Sequence, residues 1–158
     1  MRVELVILGE PECKQRPRYS LHNGIVRTYT PSKTTNYEAV IRHEYTQKYG
    51  TLLFDMDTAV KVSVVAYFGL SKVDFCKKGL SKSGKDKMEM VYCTKHKDLD
   101  NIIKICLDSL NGVCYRDDKQ IVSINACKKW TLNDPRVEII IEKMELVSNN
   151  GRENVYED

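Results

Sequence analysis

The clearest element of the chain is the segment KDLDNIIKICLDSLNG, residues 97–112. Its apolar residues recur at the i, i+3, i+4, i+7 spacing of an amphipathic helix that faces a core with one side. They are Leu99, Ile102, Ile103, Cys106, Leu107 and Leu110. The pair Asn111-Gly112 is typical of a helix end. The pattern therefore predicts an amphipathic helix that ends before this pair, with its polar residues on the opposite side.

Carboxylates crowd this helix and the residues that follow it. Asp98 and Asp100 stand at its entry, and Asp117-Asp118 precedes an alternating apolar segment. If the backbone from Asp98 to Asp100 is extended, both side chains point the same way, with Cα atoms about 7 Å apart. Mg²⁺ prefers a few carboxylate oxygens together with waters and substrate oxygens. Asp98, Asp100 and a returning Asp118 are therefore candidate ligands for a hard cation.

A second interpretation of these acids needs no metal. An aspartate at a helix N-terminus often only caps it, which stabilises the helix by about 0.5 to 2 kcal/mol. Asp117-Asp118 can be a solvated turn, and Lys104 and Asp108, four residues apart, can form a surface ion pair. Spacing alone leaves both interpretations open.

Several segments in a fixed order carry a family resemblance. The central ones are KDLDNIIK at 97–104, LDSLNGV at 107–113 and DDKQIV at 117–122. The N-terminal ones are Gly9-Glu10-Pro11, KQRPR at 14–18, and YTPSK at 29–33 followed by Tyr37-Glu38. Together, within residues 3–129, these segments resemble the signature of the RusA-type Holliday junction resolvases. These are endodeoxyribonucleases that are often encoded by phages or prophages.

The resemblance implies a role for individual residues. Asp98, Asp100 and Asp118 would be the catalytic carboxylates that bind Mg²⁺, with Mn²⁺ as a substitute, and Lys104 would be the catalytic lysine. Three more positions are expected to support the site or to cap backbone: Asn101, Asp108 and Asp117. The lysine-rich segment Asp74–Met90 departs from the family pattern like an insertion, which affects the expected substrate contacts but not the metal site.

The same resemblance implies branched DNA, especially four-way junctions, as the substrate and a homodimer as the active form. A four-way junction has approximate two-fold symmetry, and a C2 dimer provides two matched sites. The basic residues of the N-terminal motifs are expected to contact phosphates: Lys14, Arg16, Arg18 and Lys33. The alternative is a plain exposed basic loop, although Pro17 between two arginines favours a stiff, extended presentation.

Composition bounds the class of protein. The 158 residues, 42% hydrophobic and 30% charged, are ordinary for one globular domain, expected over residues 1–147 with a flexible tail at 148–158. No apolar run approaches the length of a membrane helix and the N-terminus does not resemble a signal peptide, so we expect a cytoplasmic protein without a membrane partner. The six cysteines show no paired CxxC spacing and are expected to be reduced. A zinc site at Cys76, Cys93 and His96 would lack a fourth ligand.

The remaining pattern predicts an α+β fold, a mixed β-sheet with helices packed mainly on one face. Strands are expected at Val3–Leu8, Val60–Phe68, 120–130 and 136–146, with a hairpin turn at Asn23-Gly24 and a helix at Thr34–Tyr49. Residues 71–96 are expected to be loop. Residues 72–97 contain eight lysines, which would draw phosphodiester backbone towards the neighbouring acids.

Three functions remain open at this level. The first is a Mg²⁺-dependent, structure-selective endodeoxyribonuclease that resolves four-way junctions by paired nicks in DNA recombination and repair. The second is a non-catalytic DNA-binding accessory protein of phage or prophage recombination, which would bind DNA without metal and without cleavage. The third is a phosphotransferase or phosphatase with an Asp-x-Asp nucleophile pair, which is disfavoured because Asp98-Leu99-Asp100 follows a lysine-rich segment instead of an apolar strand.

Overall fold

A computed structural model of the protein describes residues 1–51, 53–94 and 96–145. Within them the elements follow in the order β1 (Arg2–Leu8), β2 (Arg18–His22), β3 (Ile25–Tyr29), α1 (Ser32–Tyr49), β4 (Val60–Gly69), β5 (Phe75–Cys76), β6 (Gly79–Leu80), α2 (Lys82–Met90), α3 (Leu99–Leu110), β7 (Ile121–Thr131) and β8 (Arg136–Lys143). A tail beginning at residue 148 stays a prediction, because those residues lie outside the described part. Among the described residues, no helix is both long and apolar enough to cross a bilayer.

The core lies on one face of a mixed four-stranded sheet with the strand order β1-β8-β4-β7. β4 pairs in parallel with β7 and antiparallel with β8, which also pairs antiparallel with β1. Alternate residues of β4, from Val60 to Phe68, are buried against helices α1 and α3, whereas those between them are half-buried. The predicted α+β fold, with helices mainly on one face, is confirmed.

Helices α1 and α3 lie side by side and run in the same direction. Near their starts, Thr34 Oγ1 accepts a hydrogen bond from the Gln15 N–H, and the preceding residue, Lys14, donates its N–H to the carbonyl oxygen of Asn101. Further along, Arg42 Nε, in the second half of α1, donates to the carbonyl oxygen of Ser109, near the end of α3, at 3.0 Å. The loop before β2 is therefore held against the first turns of both helices.

The prediction that residues 71–96 form a loop is wrong. This segment contains the small hairpin β5–β6 and helix α2, and it is ordered around Asp74, whose side chain is 0% exposed. The Asp74 carboxylate accepts hydrogen bonds from the N–H and hydroxyl of Ser71, from the Ser83 hydroxyl and from Lys87 Nζ at 2.6 Å. Lys87 in turn lies 4.7 Å from the centre of the Trp130 ring on β7. A buried acid, which no hydrophobic period reveals, fixes α2 on the sheet.

Candidate active site

Asp98 and Asp100 lie at the first turn of α3. Asp98 is the N-cap residue, with extended backbone (φ −67°, ψ 136°), and its carboxylate makes no capping hydrogen bond. The helix already begins at Leu99, so the expectation of extended backbone as far as Asp100 is wrong. Both side chains are exposed. The simple capping interpretation therefore does not describe Asp98, and both carboxylates lie at the first turn of the helix.

Lys104 follows one turn after Asp100 on the same side of α3, because residues four apart are neighbours on a helix. Its side chain is exposed. Within residues 1–51, 53–94 and 96–145, none of Asp98, Asp100 and Lys104 takes part in an ion pair. The charges of all three remain available to a ligand.

Asp108, one turn further on, has a different surrounding. Its carboxylate lies 2.9 Å from Lys14 Nζ, which also pairs with Glu38 on α1. Burial disfavours the Lys14 ammonium, but its hydrogen bonds to Glu38 and Asp108 outweigh burial and raise the pKa of Lys14. Lys14 thus joins α1 to α3. The phosphate contact predicted for Lys14 stays a prediction, since Lys14 would have to leave Glu38 and Asp108 to bind a phosphate.

Asp117 and Asp118 have separate tasks in the turn before β7. The Asp117 side chain accepts the Lys119 N–H at 2.9 Å, and this hydrogen bond lowers the pKa of Asp117. The neighbouring Gln120 side chain accepts the N–H groups of Arg116 and Asp117, so the turn is closed from both sides. Asp117 is a capping residue here, whereas the Asp118 side chain is exposed.

The turn that carries Asp118 lies at the far end of α3 from Asp98. Tyr115 donates its hydroxyl to the carbonyl oxygen of Leu107 near the helix end, whereas Lys128, late in β7, donates its ammonium to the carbonyl oxygen of Lys97. β7 therefore begins beside the end of α3 and returns to its start. A 12-residue helix is about 18 Å long. Asp98 and Asp118 of one chain are accordingly separated by a distance on the order of 20 Å.

Consistent with this separation, the described residues contain no group of three or more His, Cys, Asp or Glu side chains that is placed to hold a metal ion. Asp98, Asp100 and Lys104 belong to the N-cap and first half of α3, whereas Asp118 of the same chain lies beyond the other end of that helix. Sequence spacing could not reveal this separation, because it does not say at which end of the helix the chain returns to it.

A carboxylate that the sequence analysis missed connects the N-terminal loop to this site. Glu12 lies between Lys33 Nζ and Lys97 Nζ, each at 2.7 Å, and its side chain is 13% exposed. Burial opposes the Glu12 charge, but hydrogen bonds from Lys33 and Lys97 outweigh it and lower the pKa of Glu12. Lys97 immediately precedes Asp98. No local pattern signals this bridge, because its partners are far apart in the sequence.

The four predicted phosphate contacts thus fall into two pairs. Lys14 and Lys33 hold carboxylates of the N-terminal loop and α1, although Lys33 remains largely exposed. Arg16 and Arg18 are exposed, and neither forms an ion pair within the part of the chain that the structure describes. The two arginines are therefore the better placed of the four to meet DNA.

An exposed pair of aspartates, a neighbouring lysine and a basic loop at one end of a βαβ crossover suit a protein that acts on phosphate esters. The chain belongs to the RusA endodeoxyribonuclease family, because a family model described as Endodeoxyribonuclease RusA matches residues 9–142. It is also 28% identical over 144 residues to the "Uncharacterized protein YqaN" of Bacillus subtilis (strain 168), an alignment that covers 90% of this chain and 96% of that relative.

Family membership confirms the resemblance found in the sequence. It implies endodeoxyribonuclease activity, a role in resolving Holliday junctions, and branched DNA as the substrate. Nucleases of this family generally depend on a divalent metal ion.

Proposed function

We propose that this protein is a Mg²⁺-dependent endodeoxyribonuclease that resolves four-way DNA junctions by paired symmetric nicks. One observation carries the proposal: Asp98, Asp100 and Lys104 are exposed at the start and along the first half of α3, and they have no ion-pair partner among the described residues. Asp74, by contrast, is fully buried and paired with Lys87, as suits a structural role. The match of residues 9–142 to the family supports the same conclusion.

The donor set fits a hard cation. Asp98 and Asp100 offer exposed carboxylate oxygens that neither cap the helix nor pair with a lysine, and such oxygens are the protein ligands that Mg²⁺ and Mn²⁺ prefer. These two residues, with Asp118, would hold the ion. When bound there, a divalent cation polarises a phosphate oxygen and lowers the pKa of its water.

The chain's own cations would complete the chemistry. Lys104, one turn from Asp100, would face the phosphate and stabilise the negative charge that develops on it. Arg16 and Arg18 would hold neighbouring phosphates, since such contacts fix the register of a protein on DNA. Glu12 would act as a positioning residue, because it ties Lys97 to the basic loop at 2.7 Å.

The position of Asp118 favours a site that is shared between two copies of the chain. Its distance from Asp98 within one chain is on the order of 20 Å, too far for common coordination of one ion. In a C2 dimer, Asp98 and Asp100 of one copy would meet Asp118 of the other, and symmetry would repeat the site. Two identical sites related by a two-fold axis match the approximate symmetry of a four-way junction. Paired nicks would follow from this arrangement.

Cleavage of a synthetic four-way junction tests the proposal. With Mg²⁺ the purified protein should give symmetric nicked products, and with a chelator it should bind the junction without cutting it. Asp118→Asn should bind but not cut, whereas Glu44→Gln, a matched change of an exposed carboxylate on α1, should cut normally. Junction binding without any cleavage in Mg²⁺ or Mn²⁺ would overturn the nuclease in favour of the accessory DNA-binding role.

A further inference from the structure

Strands β2 and β3 form a hairpin arm, residues 18–29, that stands apart from the core. All residues of both strands are exposed. The arm turns at Asn23 (φ 50°) and Gly24 (φ 77°), the two-residue turn with positive φ that suits the twist of a tight hairpin. An isolated two-stranded hairpin gains little from burial and is marginally stable in water. Nearly all of the arm's surface is therefore open to a partner.

The arm has two chemically different faces. Directly opposite residues of paired strands project on the same side. Tyr19 lies opposite Thr28, and Leu21 opposite Val26, which makes one face apolar. The exposed fractions are 74% for Tyr19, 74% for Leu21 and 63% for Val26.

The second face of the arm is basic. It carries the opposed pairs Arg18–Tyr29, Ser20–Arg27 and His22–Ile25. Residues 18–29 include no aspartate or glutamate. Neither Arg18 nor Arg27 has an ion-pair partner in the described part of the chain. The charge of this face complements a phosphodiester backbone.

The root of the arm lies at the end of the molecule that carries Asp98 and Asp100. Lys33, shortly after β3, pairs with Glu12, which pairs with Lys97 beside Asp98. Before β2, the N–H of Gln15 donates to Thr34 Oγ1 at the start of α1. The arm is thus fixed at both ends to the first turns of the helices at the candidate active site.

We propose that this arm recognises the branch point of the DNA. The inference rests on the proposed function, since it needs a branched substrate at Asp98 and Asp100. The basic face binds phosphates beside the cut, and the apolar face packs on a base pair that is exposed where the strands exchange. In linear duplex every base pair is covered by its neighbours, so an apolar side chain must first unstack a step, which costs free energy, whereas an exposed base pair at the branch point requires no such unstacking. Affinity for any duplex then comes from Arg18 and Arg27, and preference for branched DNA comes from Tyr19, Leu21 and Val26.

Binding measured in chelator separates the two faces without any cleavage. Fluorescence anisotropy would give the affinity for a four-way junction and for linear duplex of equal length. The double variant Leu21→Thr/Val26→Thr keeps strand-forming residues, and it should lose about tenfold in junction affinity with unchanged affinity for duplex. Arg18→Gln/Arg27→Gln should weaken both. Val40→Thr, a matched change of an exposed apolar residue on α1, should alter neither.

A probe in the DNA and the mass of the complex complete the test. The fluorescence of 2-aminopurine at the branch point should change when wild-type protein packs on it, and it should keep its free-junction value with the double threonine variant. An unchanged ratio of junction to duplex affinity in that variant would overturn the inference. If light scattering shows that the variant has lost a dimer that wild type forms, the apolar face binds a second copy and the inference is also wrong.

These outcomes are independent of the nuclease itself. If the double threonine variant loses its preference for the junction as expected but wild type cuts no DNA, the proposed function is refuted and the arm remains a DNA-binding element. Normal cleavage with an unchanged binding preference would refute only the role of the arm.

Discussion

Asp74 and the pair Asp98 and Asp100 are aspartates in opposite situations. Asp74 is fully buried, and Lys87 and the hydroxyls of Ser71 and Ser83 occupy its oxygens. Asp98 and Asp100 are exposed at the start of α3 and have no ion-pair partner in the described residues. The first arrangement stabilises a local structure, and the second leaves negative charge available to a cation. The two surroundings therefore predict different effects for the same Asp→Asn change.

The largest effect should come from removing the unpaired charge. Asp100→Asn keeps the size of the side chain, so the melting temperature should stay within a few degrees of wild type. Junction cleavage should fall by at least about a hundredfold, because an amide is a poor replacement for a carboxylate as a cation ligand. Single-turnover cleavage and calorimetry of the same preparation measure both quantities. Near-normal cutting in Mg²⁺ would remove Asp100 from the site.

Removing the paired charge should give the opposite result. Asp74→Asn leaves the Lys87 ammonium without its buried partner, and breaking such a pair lowers the melting temperature by roughly 10 °C in a domain of this size. Cleavage per folded molecule, measured well below the melting temperature, should remain within a few-fold of wild type. Ser83→Ala, which removes one hydrogen bond and leaves the ion pair, serves as the milder control. A large loss of cleavage with unchanged stability would contradict the structural role of Asp74.

Acid should remove the difference in stability between wild type and the Asp74→Asn variant. The hydrogen bond from Lys87, followed by those from Ser71, holds the pKa of Asp74 well below its ordinary value of 3.8. A depressed pKa contributes stability that is fully present above the ordinary value and is lost as the pH falls further. The gap in melting temperature should thus be constant from about pH 7 to 5 and shrink below about pH 4. A gap in melting temperature that widens in acid would contradict a lowered pKa for Asp74.

The smallest effect concerns the basic loop beside the unpaired acids. Arg16→Ala and Arg18→Ala should weaken junction binding at every sequence, and each lost phosphate contact should lower the salt slope of log K by about 0.9. Saturating protein should then restore most of the cleavage. Lys14→Ala should instead lower stability, since Lys14 joins Glu38 to Asp108. An unchanged salt slope in both arginine variants would assign them to structure or to the dimer interface.

The sequence predicted those parts of the fold that neighbouring residues determine by themselves. Helix α3 ends where its apolar stripe ends, at Leu110, and the Asn23-Gly24 turn forms as expected, because in both cases neighbouring residues suffice. Helix α2 was missed because its order depends on contacts of Asp74 with Lys87 and of Lys87 with Trp130. Such contacts join residues distant along the chain, and a polar segment rich in lysine shows no hydrophobic period.

The candidate site shows the same limit. The motif placed Lys104 on the helix and the two aspartates at its start, since their spacing is local, although the helix begins at Leu99 and not after Asp100. It could not place Asp118, because that position depends on β7 returning beside α3 from its far end. It also missed Glu12, whose importance lies entirely in its long-range contacts with Lys33 and Lys97.

The central claim is that one active site takes Asp98 and Asp100 from one copy and Asp118 from another. Asp100→Asn and Asp118→Asn proteins, each inactive alone, should be unfolded together, refolded and assayed on a plasmid with an extruded cruciform. A mixed dimer then has one site with both defects and one intact site. Random pairing predicts about a quarter of the wild-type sites, seen as nicked circles without linear product. A mixture that forms dimers and stays as inactive as its components would contradict the shared site.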